Sequence, residues 1–446
     1  MRTGELGYWW RSLGGPPPRR APLEQALEAD VAIVGAGFTG LWTAYYLKRA
    51  DPSLEIAVLE REFAGFGASG RNGGWVMGSF SGPARVYERN GGSAALGALR
   101  AAAREAVDEV GRVLAEQAIE ADYLKSGRLS IALTRAQLPR AYEEGEHELD
   151  ADELARRVRV ANACGGSFMP DVARVHPAKM VRGLAAAVAA LGVKIFESTP
   201  VSELRSHEAL TPQGAVRARW VVCATEGYTR TLRGCERALV PMNSSMIITE
   251  PLAAEAWAEI GWQGCELMSD GANAYVYLQR TADGRIAIGG RGRPYRFGSR
   301  TDVAGETPSA TVAALHRKLV AMFPAAAGAE IDHAWSGVLG VSRDWCVSVG
   351  ADRRSGIAWA GGYVGEGVAA ANLAGRTLRE LLRGERGALS ALPWVGRRSP
   401  RWEPEPLRWC EIQAVYALYR AADRLERRGT RPSLLARLVD RASGRG

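Results

Sequence analysis

The stretch Asp30-VAIVGAGFTGLWTAYYLKRA-Asp51 decides how this chain is read. Val31 to Val34 are apolar and rich in β-branched residues, which predicts a short buried strand. Gly35, Gly37 and Gly40 follow as G-x-G-x-x-G, with Phe38 and Thr39 opening a helix. In such a turn the first glycine permits the tight bend and the second lets a pyrophosphate approach the backbone. The third lets the helix pack on the strand, with its N-terminus facing the phosphates. A second apolar strand, Ile56 to Leu59, ends at Glu60. A carboxylate about 20 residues past the turn is placed to hydrogen-bond the ribose hydroxyls of an adenine dinucleotide.

The turn alone does not distinguish NAD from FAD; the next residues do. Arg61 to Gly78 reads REFAGFGASGRNGGWVMG, with Ala68, Ser69, Arg71 and Asn72 set among Gly67, Gly70, Gly73 and Gly74. That loop offers many backbone amides, a guanidinium and small side chains, which suits close approach to phosphate and a flat ring. An NAD enzyme needs no second such loop directly after the ribose acid.

Composition narrows the class. The chain has 446 residues, 47% hydrophobic and 24% charged, values of a globular protein large enough for two intertwined domains. The net charge of +8 is spread along the chain without a basic stripe carrying stacking aromatics, so no nucleic-acid partner is expected. Cys164, Cys223, Cys235, Cys265, Cys346 and Cys410 contain no CxxC pair, giving neither a metal pattern nor a disulfide framework. No signal peptide is read before the first strand and no run of 18 apolar residues occurs, so a cytoplasmic enzyme without a transmembrane helix is expected.

Further ordered motifs follow: WVVCATEGYT at 220–229, ADGRIAIGGRG at 282–292, GVLGVSRDW at 337–345 and GGYVGEGVAAANLAGRTL at 361–378. Together with the two glycine loops, from about Tyr8 to Gly384, the chain resembles the FAD-dependent amine and amino-acid oxidoreductases of the D-amino-acid oxidase superfamily. It is most similar to the γ-glutamylputrescine oxidase-like branch. The resemblance implies an α/β fold: a Rossmann-like FAD-binding domain interleaved with an antiparallel-sheet substrate domain. The expected parts are FAD-binding segments at 26–82, 170–240 and 339–390, a substrate-side helical insertion at 83–169, a substrate sheet at 241–338 and a helical tail at 400–446.

It also implies cofactor neighbours at Val201, Ala224 and Thr225, and in the last glycine turn at Gly362, Tyr363, Gly365, Gly367 and Val368, with Arg61 beside the ribose acid. Arg291, Tyr363 and Glu366 are expected to be catalytic, and Trp75, Trp335 and Arg343 to contact substrate. Many relatives carry histidine within the final turn where this chain has Glu366. That carboxylate is read either as a mouth-of-site attractor for a cationic amine or as a helix N-terminal carboxylate. His176 and His333 are read as structural. No cysteine or histidine lies in Gly67–Gly74 or Gly361–Gly367, so FAD is expected to be noncovalent.

The implied reaction oxidises a small amine or amino acid at its C–N bond. Hydride passes to flavin N5, the imine is hydrolysed, and O2 is the expected acceptor. Arg291 or Arg285 is the candidate cation promoting the oxygen step. A dehydrogenase with another acceptor and a flavin-binding protein without turnover are the alternatives.

Overall fold

The apolar run before the first glycine turn becomes the strand Leu27–Val34 in a computed structural model, which describes residues 1–142, 146–301, 304–427 and 429–444. Its last four residues are buried on both faces, as a central parallel strand requires. Ile56–Leu59 and Gly214–Cys223 flank it in parallel, with Lys194–Phe196 and Ile357–Gly361 beyond them. Parallel neighbours need a crossover, and the helix Phe38–Ala50 supplies the first. Short antiparallel strands at 203–205, 208–211 and 348–352 complete an eight-stranded sheet.

Helices seal this sheet. Phe38–Ala50 packs against Gly367–Arg383 so closely that a Cβ on Gly375 would lie 2.8 Å from the Trp42 carbonyl carbon. The helix Gly92–Glu116 buries Leu96, Leu99, Ala103, Val107, Val110 and Leu114, a stripe of helical period. That stripe extends the same core, so this helix packs beside the dinucleotide sheet. Residues 170–177 contain the strand Val172–Arg174, paired with Trp75–Met77.

Ala274, Val276 and Leu278 alternate with Tyr275, Tyr277 and Gln279, the period of a strand, and this segment belongs to a second, nine-stranded sheet. Val240–Thr249, Val276–Arg280, Ile286–Gly290 and Ile331–Val341 pair antiparallel at its centre. Leu267–Asp270, Arg128–Ala132, Gly165–Met169 and His147–Leu149 extend it on one side, and Arg2–Thr3 closes the other edge. Val276, Leu278, Ile286 and Ile288 bury one face against the helix Ser309–Met322. Because side chains alternate along a strand, Tyr277 then faces the first sheet.

The tail forms the helices Leu407–Glu426 and Leu434–Ser443. It is not merely packed on the outside. Glu426 pairs with Arg140, and Asp423 accepts from the Asn273 amide and side chain, bringing Tyr419 and Asp440 to the cavity between the sheets. Among the described residues, no helix is long and apolar enough to cross a membrane.

Candidate active site

One continuous cavity of about 600 Å³ separates the two sheets. Its first wall is mostly backbone. Gly35 has φ +104°, and a Cβ there would stand 2.6 Å from the Ala224 carbonyl oxygen, so only glycine fits on both counts. A Cβ on Gly37 would press on Ser69 Oγ at 3.0 Å. Ser69 Oγ accepts from the Phe38 amide at 2.8 Å and so joins the second loop to the first helix. Gly40 does not reach the cavity. Its Cβ would fall 2.0 Å from the Gly35 carbonyl oxygen, which places its role in helix–strand packing.

Glu60 lines the same wall and accepts from the amides of Ala36 at 2.8 Å and Glu62 at 2.9 Å. Burial raises its carboxyl pKa, and those two amides oppose the rise. Two amide bonds leave a carboxylate lone pairs to spare for ribose hydroxyls. Arg61 also lines the cavity, its guanidinium 5.2 Å from the Tyr228 ring centre.

The second glycine loop is held from behind. Arg71 is buried and donates from Nε to the Phe66 carbonyl at 2.9 Å. Asn72 uses its side chain inside the loop, donating to the carbonyls of Ala68 and Ser69 and accepting from the Gly74 amide. Ala68, Ser69, Arg71, Asn72 and Gly73 reach the cavity, whereas Gly74 lies behind them. Val201, Ala224 and Thr225 line the cavity where the strand Gly214–Cys223 ends.

Two tryptophans complete the clamp. Trp9 Nε1 donates to the Asn72 carbonyl at 2.8 Å, and Trp335 Nε1 to the Arg71 carbonyl at 2.9 Å. Trp335 is therefore no substrate contact: it is fully buried, packed on Trp9 and His333 outside the cavity. Arg343 is likewise removed from the site. It pairs with Glu403 and Glu411 and lies over Trp402, fastening the tail. Arg285 is spent on Asp283 and Asp332. His176 caps the helix Pro177–Ala190, and His333 meets the Gly4 carbonyl, both outside the cavity.

The last turn brings Tyr363, Gly365, Glu366, Gly367 and Val368 to the cavity, while Gly362 stays behind. The Tyr363 hydroxyl lies 3.0 Å from Thr39 Oγ1, and burial raises its pKa well above the ordinary phenol value. It ties the last turn to the helix Phe38–Ala50. Val364 holds φ 58°, a strained conformation for a β-branched residue, and its carbonyl accepts from Arg291 Nη2 at 3.1 Å. Arg291 thus meets the turn that carries Glu366. The Glu366 carboxylate does not cap its own helix; it accepts from Ser79 Oγ and faces the cavity.

Glu226 escaped the motif reading although it stands next to Thr225. Its two carboxylate oxygens accept from the amides of Gly362 at 3.1 Å and Tyr363 at 3.2 Å. Burial pushes its pKa up to about 7, against the lowering by these amides and that of Gly340. A lone acid following a strand gave no periodic signal that it would clamp a turn over 130 residues away.

The remaining wall is built of side chains. Trp75 and Tyr277 meet edge to face at 6.0 Å, and the Tyr277 hydroxyl lies 2.8 Å from Ser244 Oγ. The Trp75 indole N–H has no acceptor among the described residues. Tyr275, Ser269, Asp270, Asn273, Arg128 and Arg140 continue this wall, none of them singled out from sequence. Among the described residues no group of three or more His, Cys, Asp or Glu could hold a metal ion.

The open glycine cradle, the helix N-terminus and the amide-held acid at one end fit the pyrophosphate and ribose of a dinucleotide. The FAD-dependent oxidoreductase (DAO) family model matches residues 30–381. Gamma-glutamylputrescine oxidoreductase of Escherichia coli (strain K12) is 29% identical over 401 residues, covering 85% of this chain and 91% of that protein. A probable oxidoreductase, OrdL, of Haemophilus influenzae is 29% identical over 394 residues, covering 83% of this chain and 86% of its own. The crystal structure of glycine oxidase from Geobacillus kaustophilus superposes with a TM-score of 0.70 at 20% identity, over 84% of this chain and all of that one.

Proposed function

The chain belongs to the FAD-dependent oxidoreductase family, and from that premise we propose that it oxidises the C–N bond of a small amine or amino acid. The observation that carries this reading is the joining of two unlike regions in one cavity. A backbone-lined dinucleotide cradle opens into an aromatic and polar chamber that holds Trp75, Tyr277, Arg291 and Glu366. The names of four relatives, a gamma-glutamylputrescine oxidoreductase and three glycine oxidases, point to the same substrate class.

Gly35, Gly37 and the first turn of Phe38–Ala50 would hold the pyrophosphate of FAD, Glu60 the ribose, and the loop from Ala68 to Gly73 the flavin side. Bound FAD supplies a hydride acceptor at the flavin, and its reoxidation can reduce O2 to hydrogen peroxide. Trp75 and Tyr277 would exclude water from the amine and orient the C–H beside its nitrogen. Glu366 would draw in the ammonium form, and the amine must shed a proton before it can give up hydride. The resulting imine is hydrolysed to carbonyl and amine. Arg285 is committed to Asp283 and Asp332, whereas Arg291 lines the cavity and would support an O2 step. All six cysteines are free, which accords with a cytoplasmic setting.

The test is anaerobic mixing of the FAD-loaded protein with a panel of amines and amino acids while the flavin absorbance is followed. Bleaching by at least one compound is expected, and return of the colour in air with one equivalent of peroxide identifies the oxidase form. Bleaching without return in air would assign the electrons to another acceptor. A flavin that no compound bleaches would overturn the reading.

A further inference from the structure

The tail 400–446 carries six carboxylates: Glu403, Glu405, Glu411, Asp423, Glu426 and Asp440. Five serve its attachment. Glu403 and Glu411 hold Arg343, Glu405 accepts from the Tyr295 hydroxyl and the Gly298 amide, and Glu426 holds Arg140. Asp423 takes the amides of Asn273 and Ala274. Asp440 is different: its carboxylate accepts from the Tyr419 hydroxyl at 2.5 Å and, among the described residues, makes no ion pair. Both Asp440 and Tyr419 line the same cavity as the dinucleotide turn. Both lie beyond residue 381, where the family match ends.

Three neighbouring charged side chains on this wall already have partners. On the same wall Arg128 pairs with Glu146, Arg140 with Glu426, and Asp270 with Lys318. Each of those charges is cancelled locally. A carboxylate that no arginine or lysine pairs offers its oxygens to a cationic ligand group. One bond from Tyr419 fixes its orientation and leaves acceptor positions open.

We propose that Asp440, oriented by Tyr419, is a binding subsite for a second ammonium group of the substrate, distinct from the nitrogen that is oxidised. The inference rests on the amine-oxidising reading above and narrows it to amines with two basic ends. It gives the tail a part in substrate choice that the family core does not supply.

The experiment uses the full-length FAD-loaded protein and a matched pair of probes, 1,5-diaminopentane and n-pentylamine. Anaerobic bleaching at increasing probe concentration gives a dissociation constant for each. Wild type is expected to favour the diamine, and Asp440→Asn to reduce that preference roughly 10- to 100-fold, the range of a charge-assisted hydrogen bond. Asp440→Glu should retain most of the preference, and Tyr419→Phe should lose part of it. An equal preference in wild type and Asp440→Asn overturns the subsite while amine oxidation stands. Failure of both probes to bleach the flavin overturns the subsite, and failure of the whole amine panel overturns the proposed function as well.

Discussion

The two walls of the cavity are made by different means. The dinucleotide wall is backbone laid open by missing side chains, at Gly35 and Gly37, with Gly40 behind it. The opposite wall is side chains brought from many separate segments, among them Trp75, Arg128, Ser244, Tyr277, Arg291 and Asp440. A backbone surface tolerates no added atom and depends on a few consecutive residues. A side-chain surface can exchange one group for another while the sheet beneath it stays the same. On the proposed reading, the first wall would hold the cofactor and the second would set the substrate.

The comparison breaks most readily at Gly40. An alanine there would place Cβ 2.0 Å from a backbone oxygen that cannot move without moving the turn. Gly40→Ala should cost at least about 3 kcal/mol and release FAD, as read by melting temperature and by flavin retained through gel filtration. A variant with full flavin content and unchanged melting would show that the first wall is not close-packed.

The clamp at Glu226 links the walls and makes stability depend on pH. Its folded pKa is raised to about 7, so the folded chain holds the proton more tightly than the unfolded one. The stabilisation is complete below the unfolded value and is lost as pH rises through about 7, with a span of roughly 1–3 kcal/mol. Glu226→Gln should flatten the melting temperature between pH 5 and 7.5. A slope equal to that of wild type would locate the titration elsewhere.

On the side-chain wall, Glu366→Gln should leave the fold intact and lower kcat/KM for amines by about 1–3 kcal/mol. Reduced melting temperature or FAD affinity with kcat/KM unchanged would return Glu366 to a helix-terminal role. The smallest effect is expected at Trp335. Trp335→Phe removes the indole bond to the Arg71 carbonyl, so it should lower stability by about 1 kcal/mol and leave KM for amines unchanged. A raised KM without loss of stability would put Trp335 back at the substrate.

Tyr363 and Trp335 show what reading residues one at a time leaves out. Each stands in or near a motif at the cavity, and each is an amphipathic aromatic suited to contact a ligand. The Tyr363 hydroxyl is nevertheless taken by Thr39, 324 positions away in sequence, and the Trp335 indole by the second glycine loop. Arg343 was drawn off by two tail glutamates in the same way. Which partner claims a polar group depends on contacts between distant segments, and no local pattern encodes that choice.

The sequence by itself determined the parts governed by local geometry. These are the strand–turn–helix at 31–50, the acid at Glu60, the glycine loop after it and the alternating strands at 276–290. Their physical reasons, missing Cβ atoms and a side-chain period of two, act within a few residues. Only the tertiary structure decided that Glu226 clamps the last turn, that the helix Gly92–Glu116 joins the dinucleotide core, and that Tyr419 and Asp440 of the tail close one wall of the cavity. Those outcomes depend on which buried charges and apolar stripes find one another across the folded chain, a competition settled by the whole packing.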